Sequence, residues 1–213
     1  DDEFRIGSSF TGDGRLLTGT SKGVMAWDVE TGDREILVEA EVNTFVASED
    51  GRRLLLTVAG EAGFMQDPAG SPVFFDLDTG SSTTLATHGL QVSAMALDRR
   101  GTVAVSGDRN GIVRVGPVSG EEPHLLLGHD GGVSRLAVDP LGRWIASGGG
   151  DNTIRLWPMP DLSKPPLHTQ PRGELITKLK TLTNLRVVRD EESATGWKLT
   201  HDPFPGWETV PTW

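Results

Sequence analysis

Apolar and polar residues alternate in many short stretches of this chain, as in VSRLAV at positions 133–138 and TIRLW at positions 153–157. A period of two residues is typical of β-strands that bury one face. Between the stretches lie turn sequences such as Asp-Gly, Pro-x-Gly and Thr-Gly, whose residues favour tight turns. The pattern therefore predicts antiparallel β-structure through most of the chain.

The pattern also repeats. A shift of 41 residues places His88 on His129 and Ser106 on Ser147 without a gap. Two more copies with altered spacing lie upstream, at Phe10–Gly32 and Ala47–Gly80, and both end in an aromatic-Asp-x-x-Thr-Gly motif. Four strands in about 40 residues form a small sheet that needs neighbours on its faces. Since a radial stack of such sheets is a β-propeller, we predict an all-β propeller with four blades in this chain.

The fourth copy carries a family resemblance. Its sequence, GHDGGVSRLAVDPLGRWIASGGGDNTIRLWPM at Gly128–Met159, resembles a WD repeat, and Trp27 and Asp28 form the Trp-Asp pair itself. The resemblance covers roughly residues 4–170 and implies blades at about 4–40, 41–87, 88–128 and 129–170. It places the outer strand of the last blade at 164–170. Because WD propellers usually close with about seven blades, we expect the ring to be completed by a preceding chain segment or by another copy.

Residues 171–213 differ in composition and are predicted to be a small α+β extension. Leu175, Ile176, Leu179 and Leu182 recur at helical spacing, and LRVV and GWKLT alternate as a hairpin would. Phe204, Trp207 and Trp213 lie among prolines, and we expect this end to fold back on the propeller. The extension resembles those of bacterial multidomain WD-repeat proteins, many of which carry a serine/threonine kinase or another signalling domain.

The most conspicuous chemical group is His129, Ser147 and Asp151, with Trp157 nearby. A serine, a histidine and an aspartate in one repeat are the components of a hydrolytic triad. The resemblance to WD repeats implies instead a structural hydrogen-bonded tetrad that ties the strands of one blade together. We adopt the structural interpretation and predict no catalytic residue.

The third repeat has a weaker version of this tetrad. It retains His88 and Ser106, places Asn110 where the fourth repeat has Asp151, and has Gly116 in place of the tryptophan. In the second repeat Phe75 replaces the tryptophan. We therefore expect the third blade to be tied less firmly than the fourth.

An insertion at Ala59–Pro72 interrupts the second repeat. It is either a tolerated surface insertion or a loop that contacts a partner, since insertions and binding functions collect in propeller loops. The candidate contact residues are Phe64, Met65, Gln66 and Asp67.

Composition excludes several functions. The 213 residues contain 20 Lys and Arg against 30 Asp and Glu, a formal charge of −10, which is the opposite of a nucleic-acid binder's balance. The absence of cysteine excludes thiolate metal sites, and His124, His168 and His201 are not at metal-ligand spacing. Apolar runs are too short to span a membrane. We therefore predict no metal, no cofactor, and neither nucleic acid nor membrane as a partner.

Two function classes remain. The first is a non-catalytic scaffold that binds protein partners, a module of a larger bacterial signalling or regulatory protein in the cytoplasm. The alternative is a propeller enzyme, a hydrolase or lyase with an acid and a base in the central channel. Because the candidate acids and bases mostly lie at turns, we predict the scaffold.

Overall fold

The alternating stretches form four antiparallel sheets that follow one another in sequence order. The structure is a computed structural model, and it describes residues 5–58, 70–89, 91–182, 185–190 and 196–201. The chain divides into two units, residues 1–166 and 167–213, and the four sheets belong to the first. The predicted four-blade arrangement is therefore present.

Each sheet is a meander in which consecutive strands pair. The first sheet contains β1 (Arg5–Phe10), β2 (Leu16–Thr20), β3 (Gly23–Trp27) and β4 (Arg34–Glu39). The second contains β5 (Val42–Ala47), β6 (Arg53–Val58), β7 (Val73–Asp76) and β8 (Ser81–Thr84). The third contains β9 (Val92–Leu97), β10 (Val103–Asp108), β11 (Val113–Pro117) and β12 (His124–Leu126). The fourth contains β13 (Val133–Val138), β14 (Trp144–Gly149) and β15 (Ile154–Pro158).

A glycine in the left-handed region ends the turn between the first two strands of every sheet. The φ angles are 87° at Gly14, 69° at Gly51, 67° at Gly101 and 68° at Gly142. A residue with a Cβ is strained in this region, which explains why the repeat has glycine at this point.

Three apolar cores hold the four sheets together, one between each pair of neighbours. Leu17 and Val24 of the first sheet pack with Phe45 and Leu54 of the second. The second core joins the second and third sheets through Leu55, Phe74, Leu85, Val92, Met95 and Ala104. The third joins the third and fourth sheets through Ala94, Ala96, Val105, Val113, Val115, Val133 and Ile145. Each internal sheet thus buries both of its faces.

We call the face of a sheet that points to the preceding sheet its front face, and the other its back face. The back face of the third sheet is fully buried at Val113 and Val115. A shift of 41 residues leads from these valines to Ile154 and Leu156 on the back face of the fourth sheet, which are 81% and 63% exposed. On the front face of the first sheet, Phe10 is 69% exposed. The two ends of the stack therefore present apolar residues to solvent.

The fourth sheet differs from the sequence prediction because its predicted outer strand at 164–170 is not formed. Of these residues, 167–169 form a short 3₁₀ helix (Leu167–Thr169), and 164–166 carry no strand assignment. Pro165 and Pro166 have no N–H to donate to a strand ladder, which explains the difference.

The second unit contains the predicted helix and hairpin. Helix α1 spans Arg172–Leu182, and strands β16 (Leu185–Arg189) and β17 (Trp197–His201) pair antiparallel. The terminal aromatic residues Phe204, Trp207 and Trp213 lie outside the described residues. No helix in the described part of the chain is long and apolar enough to cross a bilayer.

Candidate functional site

Four side chains of the fourth blade form one continuous hydrogen-bonded chain. Ser147 lies on β14 and Trp157 on β15, while His129 precedes β13 and Asp151 lies in the turn between β14 and β15. His129 Nε2 is 2.7 Å from Ser147 Oγ, and its Nδ1 is 3.0 Å from Asp151. The Trp157 indole N–H donates to Ser147 Oγ at 2.8 Å. The four predicted residues are thus brought together, and they connect the blade's entry loop to two of its strands.

The order of the bonds fixes the direction of donation. The Asp151 carboxylate can only accept, so His129 donates its Nδ1–H to it. In the tautomer that carries its proton on Nδ1, Nε2 accepts a hydrogen bond from the Ser147 hydroxyl. The hydrogen bonds thus connect aspartate, histidine and serine in the same sequence as in a hydrolytic triad. Ser147, however, is 1% exposed, and its oxygen already accepts the Trp157 N–H. A serine nucleophile must be accessible to the substrate carbonyl, so this burial favours the structural interpretation over a hydrolytic one.

Asp151 is held as a carboxylate by its surroundings. Burial alone would raise the pKa of Asp151, but hydrogen bonds from the Thr153 hydroxyl, the Asp130 N–H and His129 hold this pKa well below its usual range. The two oxygens accept from Thr153 Oγ1 at 2.8 Å and from Asp130 N at 3.0 Å. The charged form that His129 needs as an acceptor is therefore stable at neutral pH.

Gly149 makes room for the tetrad, a role that the sequence analysis missed. A Cβ at this position would lie 2.4 Å from His129 Nδ1 and 2.7 Å from Asp151 Oδ1. Distances this short exclude any side chain unless the histidine or the aspartate moves. The signal in the sequence is the run of three glycines before Asp151, which supplies the space as well as the turn.

The third blade contains half of this network. His88 Nδ1 lies 2.8 Å from Ser106 Oγ, so the imidazole presents the opposite nitrogen to its serine from the one His129 uses. At Gly116 an added Cβ would lie 3.1 Å from Pro123, which occupies the region where the fourth blade has its tryptophan. His88 Nε2 is buried and has no hydrogen-bond partner in the described part of the chain.

Asn110 does not take the position predicted for it. It lies exposed in the turn, and its backbone N–H donates to Asp108 at 2.8 Å. Asp108, which the 41-residue shift aligns with Gly149, forms a buried ion pair with Arg114 at 2.7 Å. The third blade therefore uses an Asp–Arg pair where the fourth uses the Asp–His bond. The prediction for Asn110 was wrong because aligned positions do not ensure equal side-chain directions.

The first two blades reduce the network further. In the first blade the Trp27 indole N–H donates to Thr18 Oγ1 at 2.7 Å, which reproduces the Trp157–Ser147 bond. In the second blade, strand register places Leu56 where the other blades have Thr18 and Ser147, and Phe75 in place of the tryptophan. Both second-blade residues are apolar, and Leu56 is fully buried.

A groove lies along the side of the stack on which the turns between the first two strands of all four sheets are neighbours. They line this groove, which has a volume of about 1130 Å³. Neighbouring turns are joined: Gly12 N–H donates to Glu49 O, Glu49 pairs with Arg99, and Arg53 donates to Arg100 O at 2.6 Å. Leu141, on the wall of this groove, is 70% exposed. We call this feature the turn groove.

The remaining candidates are placed as follows. Phe64, Met65, Gln66 and Asp67 lie outside the described residues, so the partner-loop hypothesis stays a prediction. His124 Nε2 lies 3.1 Å from the Lys164 carbonyl oxygen. Within the described ranges, no group of three or more His, Cys, Asp or Glu residues is arranged to hold a metal ion.

Comparison with known proteins identifies the repeat. Residues 120–158 match the family model described as WD domain, G-beta repeat. The chain is 28% identical over 141 residues to the WD repeat-containing protein slp1 of Schizosaccharomyces pombe, a match that covers 64% of this chain and 27% of slp1. It is 37% identical over 83 residues to the pre-mRNA-splicing factor prp46 of Emericella nidulans, covering 37% of this chain and 18% of that protein.

A further match is shorter and covers 33 residues of this chain. The chain is 58% identical over 33 residues to the ribosome biogenesis protein erb1 of Botryotinia fuckeliana, covering 16% of this chain and 4% of that protein. The chain thus spans about a quarter or less of these relatives' length. A solved structure entitled "Crystal Structure of Mitotic Checkpoint Complex" contains a similar chain, with a TM-score of 0.58 and 23% identity over 71% of this chain and 45% of that one. These likenesses, with the four sheets, confirm a WD-type β-propeller fold.

We expect the His129→Ala substitution to destabilise the protein by about 2 kcal/mol, because Ser147 loses a buried partner and a cavity remains. Trp157→Phe is the matched variant: it keeps most of the ring and loses one hydrogen bond, which costs about 1 kcal/mol. Urea unfolding monitored by fluorescence or circular dichroism measures both. An unchanged unfolding midpoint for His129→Ala would contradict the structural role.

The buried His88 predicts a pH dependence of stability. Burial and the nearby Arg114 lower the pKa of His88 to about 4, against the opposing effect of Glu122. The unfolded chain therefore binds a proton at this residue between about pH 6.5 and pH 4, where the folded chain does not. Neutral His88 therefore contributes a stability that is fully present above about pH 6.5. This contribution is lost as the pH is lowered, and the free energy of unfolding decreases by about 2 kcal/mol between pH 7 and pH 5.

Urea unfolding at pH 7 and pH 5 tests this expectation. The His88→Leu variant has no imidazole to titrate, so its free energy of unfolding should change less between the two pH values than that of the unaltered chain. Equal changes in both proteins would show that His88 is accessible to protons in the folded state.

Proposed function

We propose that this chain is a non-catalytic protein-interaction scaffold, a WD-repeat propeller module of a larger bacterial signalling or regulatory protein. The observation that carries the proposal is the turn groove, to which all four sheets contribute. Its turns belong to sheets fixed by three apolar cores, so the groove surface is preorganised. A surface held in this way binds a partner without a large cost in ordering.

The composition of the turn groove supports a protein partner. Arg52, Arg53, Arg99 and Arg100 line it, together with the apolar Pro140 and Leu141. Arg100 has no ion-pair partner in the described ranges, and its side chain is exposed. Arginine and apolar side chains in one concave surface are typical of protein–protein interfaces. Acidic residues such as Asp13 and Asp98 also line the groove, which disfavours a nucleic-acid backbone as the partner.

The proposed scaffold also includes a structural role for the polar networks and a setting for the module. The tetrad His129, Ser147, Asp151 and Trp157 has a structural role, as does the weaker pair His88 and Ser106. The bacterial signalling context and the cytoplasmic location are supported by the resemblance of the C-terminal extension to those of bacterial multidomain proteins, whereas the matched curated relatives above are fungal. The exposed end faces support further blades as partners, from a preceding segment or from another copy.

A pull-down with a groove variant tests the scaffold. The double variant Arg100→Glu with Leu141→Asp alters two exposed side chains of the turn groove, so the fold should be preserved. We expect proteins retained from a cell extract by the unaltered chain to be lost by this variant. They should be retained by Leu127→Asp, which changes a 65% exposed leucine outside the lining of the groove.

Two results would contradict the proposal. The first is equal retention of partners by the groove variant and the unaltered chain. The second is a hydrolase or lyase activity of the purified chain, which would favour the propeller enzyme with an acid and a base in the central channel.

A further inference from the structure

The back face of the fourth sheet has the side-chain pattern of a face that another sheet covers. On the third sheet, register aligns Ala96, Val105 and Val115 in one row, and the fourth sheet covers them. The corresponding row on the fourth sheet is Ala137, Ala146 and Leu156. Ala146 is smaller than Val105 and Leu156 is larger than Val115, so the two differences in volume partly offset each other. The same packing surface is thus buried in one blade and exposed in the next.

The front face of the first sheet carries the complementary pattern. On the fourth sheet, the row that packs on the third sheet is Val138, Ile145 and Trp157. On the first sheet, register aligns Phe10, Leu16 and Trp27 in the same way. Both tryptophans donate their indole N–H to a hydroxyl on the second strand of their own sheet, at 2.7 Å to Thr18 and 2.8 Å to Ser147. The front face of the first sheet therefore has the same arrangement of side chains as the front face of the fourth, which packs on the back face of the third sheet.

Both end faces expose large apolar side chains to solvent. Ile154 and Leu156 are 81% and 63% exposed on the fourth sheet, and Phe10 and Ile36 are 69% and 50% exposed on the first. Clusters of exposed apolar residues mark interaction surfaces, and these two faces are of the types that pack on each other three times within the chain.

We propose that two copies of this chain pack head to tail, with the front face of each first sheet on the back face of the other's fourth sheet. This inference rests on the part of the proposed function that assigns further blades to the end faces, and it names a second copy as their source. A head-to-tail contact either closes into a ring or grows into a filament. Two copies of four sheets give eight, which lies within the four to eight blades of known propellers.

The charge of the chain gives the contact a distinctive salt dependence. Each copy carries a formal charge of −10, so two copies repel at low ionic strength. Added salt screens this repulsion and leaves the apolar contact intact. Association of the copies should therefore tighten as salt is added.

Light scattering after size-exclusion chromatography, from micromolar to tenths of millimolar concentrations, measures the assembly. We expect the unaltered chain to form a species of twice its 22.9 kDa mass. Ile154→Lys and Phe10→Glu each place a charge in one of the two contact faces, and each should weaken the association at least about 30-fold. Leu127→Lys, at a 65% exposed leucine away from both faces, is the matched control and should assemble normally.

Mixing the two variants gives the sharpest test. A mixed pair has one unaltered contact and one in which lysine meets glutamate, so the pair should form although neither variant assembles alone. If the monomeric variants still retain proteins from a cell extract through the turn groove, the proposed scaffold function does not depend on head-to-tail assembly. A chain that stays monomeric at every concentration and salt level would overturn the proposal, as would variants that assemble like the unaltered chain or a mixture that fails to associate.

Discussion

Face-to-face packing of one small sheet on the next is the interaction on which the rest of this structure depends. A sheet of three or four short strands cannot bury both of its faces alone. Here Leu17 and Leu54, Leu55 and Ala104, and Val113 and Ile145 are all fully buried, and they belong to three successive inter-sheet cores. The alternating pattern of the strands, the spacing of the repeats and the exposed end faces all follow from this one requirement.

The hydrogen-bonded networks vary from blade to blade. The second sheet, covered on both faces, has apolar Leu56 and Phe75 where the fourth has polar partners. The third, also covered, retains the bond between His88 and Ser106 and has the Asp108–Arg114 ion pair in place of the Asp–His bond. The fourth sheet is covered on its front face alone and has the complete network around His129. The first sheet is also covered on one face only, and it has the Trp27–Thr18 bond of this network. The extent of the network therefore does not follow from cover alone.

Much of the fold could be predicted because each strand, turn and helix has a recognisable pattern over a few neighbouring residues. Alternation and turn glycines predicted the strands, and the spacing of Leu175 and Leu179 predicted helix α1. The contacts of Asn110 and Asp108 could not be predicted, because a one-dimensional alignment does not give side-chain direction after a turn. The role of Gly149 was missed because a run of glycines indicates a turn but does not show which side chains pack over it. Whether residues 164–166 pair as a strand depends on hydrogen bonding that their prolines prevent.

Hydrogen exchange of the central strands tests the packing account most directly. In the Phe10→Glu chain, which we expect to be monomeric, strand β10 belongs to a sheet covered on both faces and β14 to a sheet covered on one. Local opening is rarest where burial is greatest, so the amides of Val105 and Ser106 should exchange more slowly than those of Ala146 and Ser147. Equal protection of the two strands, or slower exchange in β14, would contradict the claim that cover on both faces stabilises each blade.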